Sequence, residues 1–366
     1  MTAGQVALAS LIVGIIVTLA GVTGFAYTTL YERKLLARMQ HRVGPNRAGY
    51  IPFPRRGKKE KKLLAGFLQP VADAVKLFFK EDPTPARVDR YVYTLAQMLA
   101  VISAIMIFAV IPWAPEITIF GYTFSPYLAV APGLNVAVVF ILAITSIGVY
   151  GVFLAGWASN SKYAVMGGIR ASAQMISYEL ALGLAVIPVI MIADSMDLGS
   201  IVEGQRAMWY VVLQPLAAFI FFLGVLAELE RSPFDLLEAE QELSSGFNVE
   251  YGGMRFGMFF MTQYMKMFAF SAIFASLFLG GYLGPFIDQA PALGIIYMII
   301  KIILVMFVMI WVRATLPRFR YDQLMQFGWK RLIPIGLANI IVTAFFIIMV
   351  EEQIIDLAGI TSIFGF

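Results

Sequence analysis

Eight stretches of about 20 apolar residues, each long enough to cross a bilayer as a helix, constrain this chain more than any other feature. They run roughly Val6 to Leu30, Tyr91 to Ile111, Asn135 to Ala155, Ala171 to Met191, Met208 to Ala227, Phe256 to Gly280, Gly294 to Val312 and Leu332 to Val350. With 60% hydrophobic and only 14% charged residues, and a mean hydropathy of +0.80, a soluble domain is excluded, since charge there runs near 25%. The expected fold is an all-α polytopic membrane protein, a single membrane domain over residues 1–366, with about eight transmembrane helices and short amphipathic helices in its loops. The first stretch lacks the basic leader of a signal peptide and is too long for one, so it is expected to persist as a helix.

Lys and Arg residues stay on the cytoplasmic side during insertion. The loops after the first, third, fifth and seventh stretches hold 15, 2, 2 and 5 of the 27. The other loops and both ends hold one, Arg206, while Lys266 and Lys301 fall inside apolar stretches. This asymmetry predicts both termini on the outer face and every long polar loop in the cytoplasm: residues 31–90, 228–255 and 313–331. It also accounts for the net charge of +4 through orientation and contact with anionic lipid or a partner, without nucleic acid. There is no cysteine and one histidine, His41, so the chain has no thiolates for an iron-sulfur cluster and no pair of axial histidines for haem. Phosphate-binding glycine fingerprints and internal repeats are missing too.

The loop 31–90 reads in three parts. Glu32, Arg33 and Lys34 lead towards Arg42-Val-Gly-Pro-Asn46. A basic run follows, Arg55, Arg56, Lys58, Lys59, Lys61 and Lys62, which reads most simply as a solvated, lipid-facing tract. Then Pro70 suits the first position of a short helix, Val71, Ala74, Val75 and Phe78 share one face, and Pro83 and Pro85 stop it. Too short to span, this helix is expected in the membrane interface, as an anchor or as a gate for a lipid-soluble substrate.

The loop 228–255 is acidic: Glu228, Glu230, Asp235, Glu238, Glu240, Glu242 and Glu250. Ser232, Pro233 and Asp235 predict a capped helix that carries Asp235, Glu238 and Glu242 on one face. Carboxylates this close perturb one another's protonation; the competing reading is a solvated acidic face. Glu228 ends an apolar stretch, and Glu179 sits about nine residues into the fourth. A carboxylate at such depth must be protonated, paired or facing water. Lys266 and Lys301 are expected as proton-relay members or as counter-ions of buried acids.

Several segments resemble one family. Trp157-Ala-Ser-Asn-Ser-Lys-Tyr163, Gly168-Ile-Arg170, Ala173-Gln174 and Ile176-Ser-Tyr-Glu179 look like the quinone-channel membrane subunit (the H subunit) of NADH:quinone oxidoreductase, respiratory complex I. So do Arg231-Ser-Pro-Phe-Asp-Leu236 with the acids that follow, Gly44-Pro-Asn46, Gln69-Pro70, Ala72-Asp73, Arg313-Ala-Thr-Leu-Pro-Arg318 and Arg320-Tyr-Asp-Gln-Leu324. The resemblance implies a cell (inner) membrane protein that forms a chamber for a quinone substrate, menaquinone or ubiquinone. FMN and iron-sulfur clusters would sit on partner subunits. Soluble iron-sulfur and quinone-site subunits would dock on the cytoplasmic face, and small and antiporter-like membrane subunits would lie beside it. It implies Glu32, Arg33, Arg42, Asp73, Lys76, Arg231 and Phe234 at the chamber. It implies Glu179, Glu228, Glu230, Asp235, Glu238 and Glu242 in proton or charge coupling. Two departures stand out: an insertion from Ile51 to Lys62, and Gln263 where the family's glutamate precedes Tyr264. The alternative within the resemblance is the related membrane subunit of an energy-converting hydrogenase-like or ferredoxin-linked complex, which works without quinone. A lone ion transporter is a third reading, in which the concentration of amphipathic, acidic and basic elements on one face goes unexplained.

Overall fold

The computed structural model describes residues 3–49, 51–53, 61–63, 66–119, 122–235 and 246–351. Its elements in chain order are α1 (Ala3–Met39), a short hairpin β1 (Ile51–Phe53) and β2 (Lys61–Leu63), α2 (Gln69–Phe79) and α3 (Arg90–Met106). A second hairpin, β3 (Ala114–Ile119) and β4 (Tyr122–Leu128), precedes α4 (Ala137–Ala158) and α5 (Lys162–Ala193). Then come α6 (Leu198–Glu203), α7 (Tyr210–Leu213), α8 (Pro215–Glu228), α9 (Gly253–Phe278), α10 (Leu293–Thr315), α11 (Tyr321–Phe327) and α12 (Ile333–Glu351). Both hairpins are antiparallel, and the periodicity of the sequence did not announce them.

Among the described residues, six helices are long and apolar enough to cross a membrane: Val13–Met39, Arg90–Val110, Ala137–Ala158, Lys162–Ala193, Leu293–Thr315 and Tyr321–Val350. The chain is therefore an all-α, multi-pass membrane protein. The other two expected stretches are also helical. Gly253–Phe278 has 26 residues and carries Lys266 at its middle. The stretch 208–227 does not form one rod. Pro215 lacks an amide proton and disfavours helical geometry at Gln214, so the chain breaks there into α7 and α8. At 14 residues α8 rises only about 21 Å, less than the roughly 30 Å of a hydrocarbon core. Gln214 is held by Thr343 and Asn339 of α12 at 3.0 and 3.2 Å.

The core forms where α5 packs against α4, α8 and α12, and where α9 packs against α1, α3 and α10. Helices in lipid approach closely only where side chains are small. Gly151 of α4 meets that need, because a Cβ there would lie 2.9 Å from the Ala100 amide nitrogen and the Ala96 carbonyl of α3. Contacts gather the foot of α1, α2, the turn after α8 and the segment after α10 at one end of the bundle. Tyr127, Asp197, Glu203, Arg206, Tyr282 and Asp288 gather at the other. There burial and the hydrogen bond that the Tyr127 phenol donates to Asp197 push that phenol above its ordinary range.

Candidate functional site

The site begins where α8 stops. The Arg231 amide donates to the Leu226 carbonyl and the Glu230 amide to the Ala227 carbonyl, which closes the helix as a Schellman turn. Such turns favour glycine at the left-handed position, yet Glu230 occupies it with φ of 53°. The turn is braced from three sides. Gln174 of α5 donates to the carbonyls of Ala227 and Phe234, both at 2.9 Å, and Gln263 of α9 donates to that of Leu229 at 3.1 Å. The Phe319 amide donates to the Pro233 carbonyl at 3.0 Å. Phe234 is buried against Tyr178 and Phe319.

These braces turn a row of charges inward. Arg231 reaches Glu32 of α1 at 3.2 Å with both side chains about 95% buried, and Arg313 of α10 pairs with the same carboxylate oxygen. The Arg231 guanidinium also lies 4.4 Å from the centre of the Tyr264 ring. Asp235 is buried and pairs with Arg318 at 3.0 Å. Residues 231–235 form turns, and the Asp235 carboxylate meets Arg318; the rest of the capped helix that the sequence predicts from Ser232 lies outside the described residues. Glu238, Glu240 and Glu242 lie outside the described residues.

Deeper, Lys266 of α9 donates to Glu228 at 3.1 Å, both buried, which identifies the acid that its place in an apolar stretch requires. Glu228, Glu230 and Lys266, with Thr262 and Gln263, line a cavity of about 40 Å³. That is large enough for a water molecule, and these side chains offer polar groups that can hydrogen-bond one. Beyond it Glu179 of α5 is half-buried and accepts from Thr145 and Ser146 of α4 at 3.0 and 2.5 Å. Lys301 belongs to a different structure. It donates to the carbonyls of Gly281 and Leu283, both at 2.8 Å, and lies over Trp209, so it clamps a turn near the other end of the bundle.

Beside the charge cluster, α1, α2 and α9 enclose a cavity of about 570 Å³, within the size range of small-molecule sites. Phe25, Ala26, Leu77, Phe260 and Met261 make most of its wall apolar. Arg33, Asp73, Lys76 and Lys80 give it a polar edge. Arg33 and Asp73 are paired at 2.6 Å but partly exposed, and Gln69 donates to the second Asp73 oxygen at 2.9 Å. An exposed pair of this kind contributes only about 0–1 kcal/mol, so a bound polar group can exchange with it. The short helix expected after Pro70 is α2, and its Ala74 and Phe78 face this cavity.

Of the residues implied for a chamber, Arg33, Asp73 and Lys76 line the cavity. Glu32, Arg231 and Phe234 are buried but do not line it: Glu32 and Arg231 pair with each other, and Phe234 packs against Tyr178 and Phe319. Arg42 is exposed, donating to Gln40 at 2.8 Å. Arg313, Arg318 and Tyr264 complete the charge network. The first two stood in the last-loop motif, but only folding shows which acids they face.

Fold and site together define a polytopic helical membrane protein with a largely apolar cavity and a set of buried ion pairs. The description NADH dehydrogenase matches residues 11–344, and the chain belongs to that family. It is 47% identical to the NADH-quinone oxidoreductase H subunit of Syntrophotalea carbinolica, over 92% of this chain and 94% of the relative. It is 48% identical to H subunit 2 of the same enzyme from Syntrophobacter fumaroxidans, over 87% and 89%. With H subunit 1 from Geobacter metallireducens it shares 45% identity over 93% and 95%.

Proposed function

We propose that this chain is the membrane subunit of a proton-translocating NADH:quinone oxidoreductase of the cell (inner) membrane, and that it forms the quinone-access chamber and the first stretch of the coupling chain. The carrying observation is the cavity between α1, α2 and α9, with an apolar wall and a polar edge that includes Arg33, next in sequence to Glu32 of the buried charge network. A quinone has the same two parts, an apolar tail and a polar ring. The names of the relatives favour this reading over a complex that works without quinone.

Electrons would arrive from flavin and iron-sulfur clusters on soluble partner subunits docked at the end that carries α2, since the chain has no cysteine to hold a cluster. Two electrons and two protons convert the quinone to the quinol. Negative charge that develops during reduction is attracted by Arg33, Lys76 and Lys80 at the polar edge. Through Glu32 and Arg231 the same change acts on Glu230, Glu228 and Glu179, whose protonation responds to charge nearby. Small and antiporter-like membrane subunits would receive the proton movement beyond Glu179.

The test is NADH-dependent quinone reduction by membranes that carry the intact complex, comparing wild type with Asp235→Asn and Arg231→Ala. Assembly is monitored through NADH oxidation by an artificial acceptor that bypasses quinone. Loss of quinone reduction with assembly intact supports the reading. Wild-type quinone reduction in both variants refutes it.

A further inference from the structure

The Lys266 ammonium occupies a built position, not a chance approach. A Cβ on Gly148 of α4 would lie 3.0 Å from the Lys266 Nζ and 2.9 Å from the Ser103 Oγ, so the lack of a side chain there makes the room that the ammonium fills. Across that space Lys266 donates to one oxygen of Glu228, while the second oxygen, Oε2, has no hydrogen-bond partner among the described residues. Two other acids face this pair. Glu230 shares the lining of the small cavity, and Glu179 of α5 is near enough to repel the Glu228 carboxylate. The remaining lining residues, Leu229 and those contributed by α3, α4, α5, α9 and the 246–248 turn, are uncharged.

We propose that Lys266 is a positioning residue for proton transfer: its ammonium holds Glu228 as a carboxylate between Glu230 and Glu179, so that Glu228 waits as an empty proton acceptor. This rests on the proposed coupling chain and names the device that sets its resting charge. Without a cation, a carboxylate buried between two other acids takes up a proton and can no longer receive one. With Lys266 beside it, the pair is neutral overall, and the attraction of the ammonium offsets part of the desolvation cost of the carboxylate. A proton that reaches the second oxygen forms an O–H bond and gives the pair one net positive charge. That excess charge drives the proton onward to Glu179, and the pair returns to its resting form.

The experiment is the pH dependence of quinone reduction and of proton translocation in membrane vesicles that carry the whole complex, with Lys266→Met, Lys266→Arg and Glu228→Gln variants. One opposite charge at this distance changes a carboxylate's titration by about 1–3 pH units. The acid-side midpoint of activity should therefore move up by that much in Lys266→Met and return in Lys266→Arg, which keeps the cation. An unmoved midpoint in an assembled Lys266→Met complex overturns the inference while leaving the coupling chain standing. Wild-type rate and proton yield in Glu228→Gln remove the coupling chain at Glu228 itself. If Lys266→Met does not assemble, the double variant with Glu228→Gln decides. Its assembly supports charge compensation, and its failure shows that Lys266 serves packing alone and overturns the inference.

Discussion

Arg231 and Glu32 are 199 positions apart in the chain and 3.2 Å apart in the fold, buried together at the junction of the large cavity and the acidic turn. Because Arg313 shares the same carboxylate, Glu32 is the anion that keeps two guanidinium groups together. Breaking a buried pair by removing one partner costs about 3–5 kcal/mol, since the other charge is left uncompensated. Glu32→Gln should lower the melting temperature of the purified complex and reduce quinone reduction roughly tenfold or more. A variant with both parameters at wild-type values would show that the junction carries neither stability nor coupling.

Glu230 gives a prediction of the opposite kind. A non-glycine residue in the left-handed region costs about 1–2 kcal/mol, and nothing in a Schellman turn demands a carboxylate. Glu230→Gly should therefore assemble at least as well as wild type, with the melting temperature unchanged or raised, while proton translocation falls. The two readings separate cleanly: if stability drops, the carboxylate serves the fold, and if both properties hold, it serves neither.

Much of this was legible from the chain and some was not, for identifiable reasons. The apolar stretches marked most of the bundle because a helix in lipid must be predominantly apolar over about 20 residues, and the Pro70 signal located α2 within a residue or two. The break at Gln214 was readable from Pro215 but hidden by the continuity of hydrophobicity around it. The β3–β4 hairpin is too short to impose a clear period. Glu228 and Lys266 were each conspicuous as charges in apolar stretches, but their pairing depends on how α8 and α9 pack, which no local pattern carries. Asp235 stood out by its local pattern, but its pairing with Arg318 joins segments 83 positions apart, beyond the reach of any local pattern. Glu238 and Glu242 lie outside the described residues, so their expected roles stand as proposals.

The large cavity predicts a kinetic split. Ala26 of α1 and Ala74 of α2 both line the cavity. A Phe at either place fills space that the substrate would use without touching the charge network. Ala26→Phe and Ala74→Phe should raise the quinone KM roughly tenfold, equivalent to about 1.4 kcal/mol of binding, with kcat nearly preserved. A loss confined to kcat would move the substrate away from this cavity. Arg33→Ala should instead lower kcat as well, because on the proposed function it removes a cation from the polar edge at which the quinone would gain negative charge.

Glu179 sits at the far end of the acid series, and its surroundings allow a substitution that leaves the fold intact. Thr145 and Ser146 donate to one oxygen of its carboxylate, and the amide oxygen of a glutamine accepts the same two bonds. Glu179→Gln thus removes the titratable group with little change in shape. Quinone reduction measured with the membrane potential collapsed should stay within a few-fold of wild type, while the protons translocated per NADH oxidised, measured in sealed vesicles, should fall. The reason is that an amide neither stores nor releases a proton, so charge arriving from Glu228 has no acceptor at that step. An unchanged proton yield would mean that the coupling path leaves the acid series before α5, at Glu228 or Glu230.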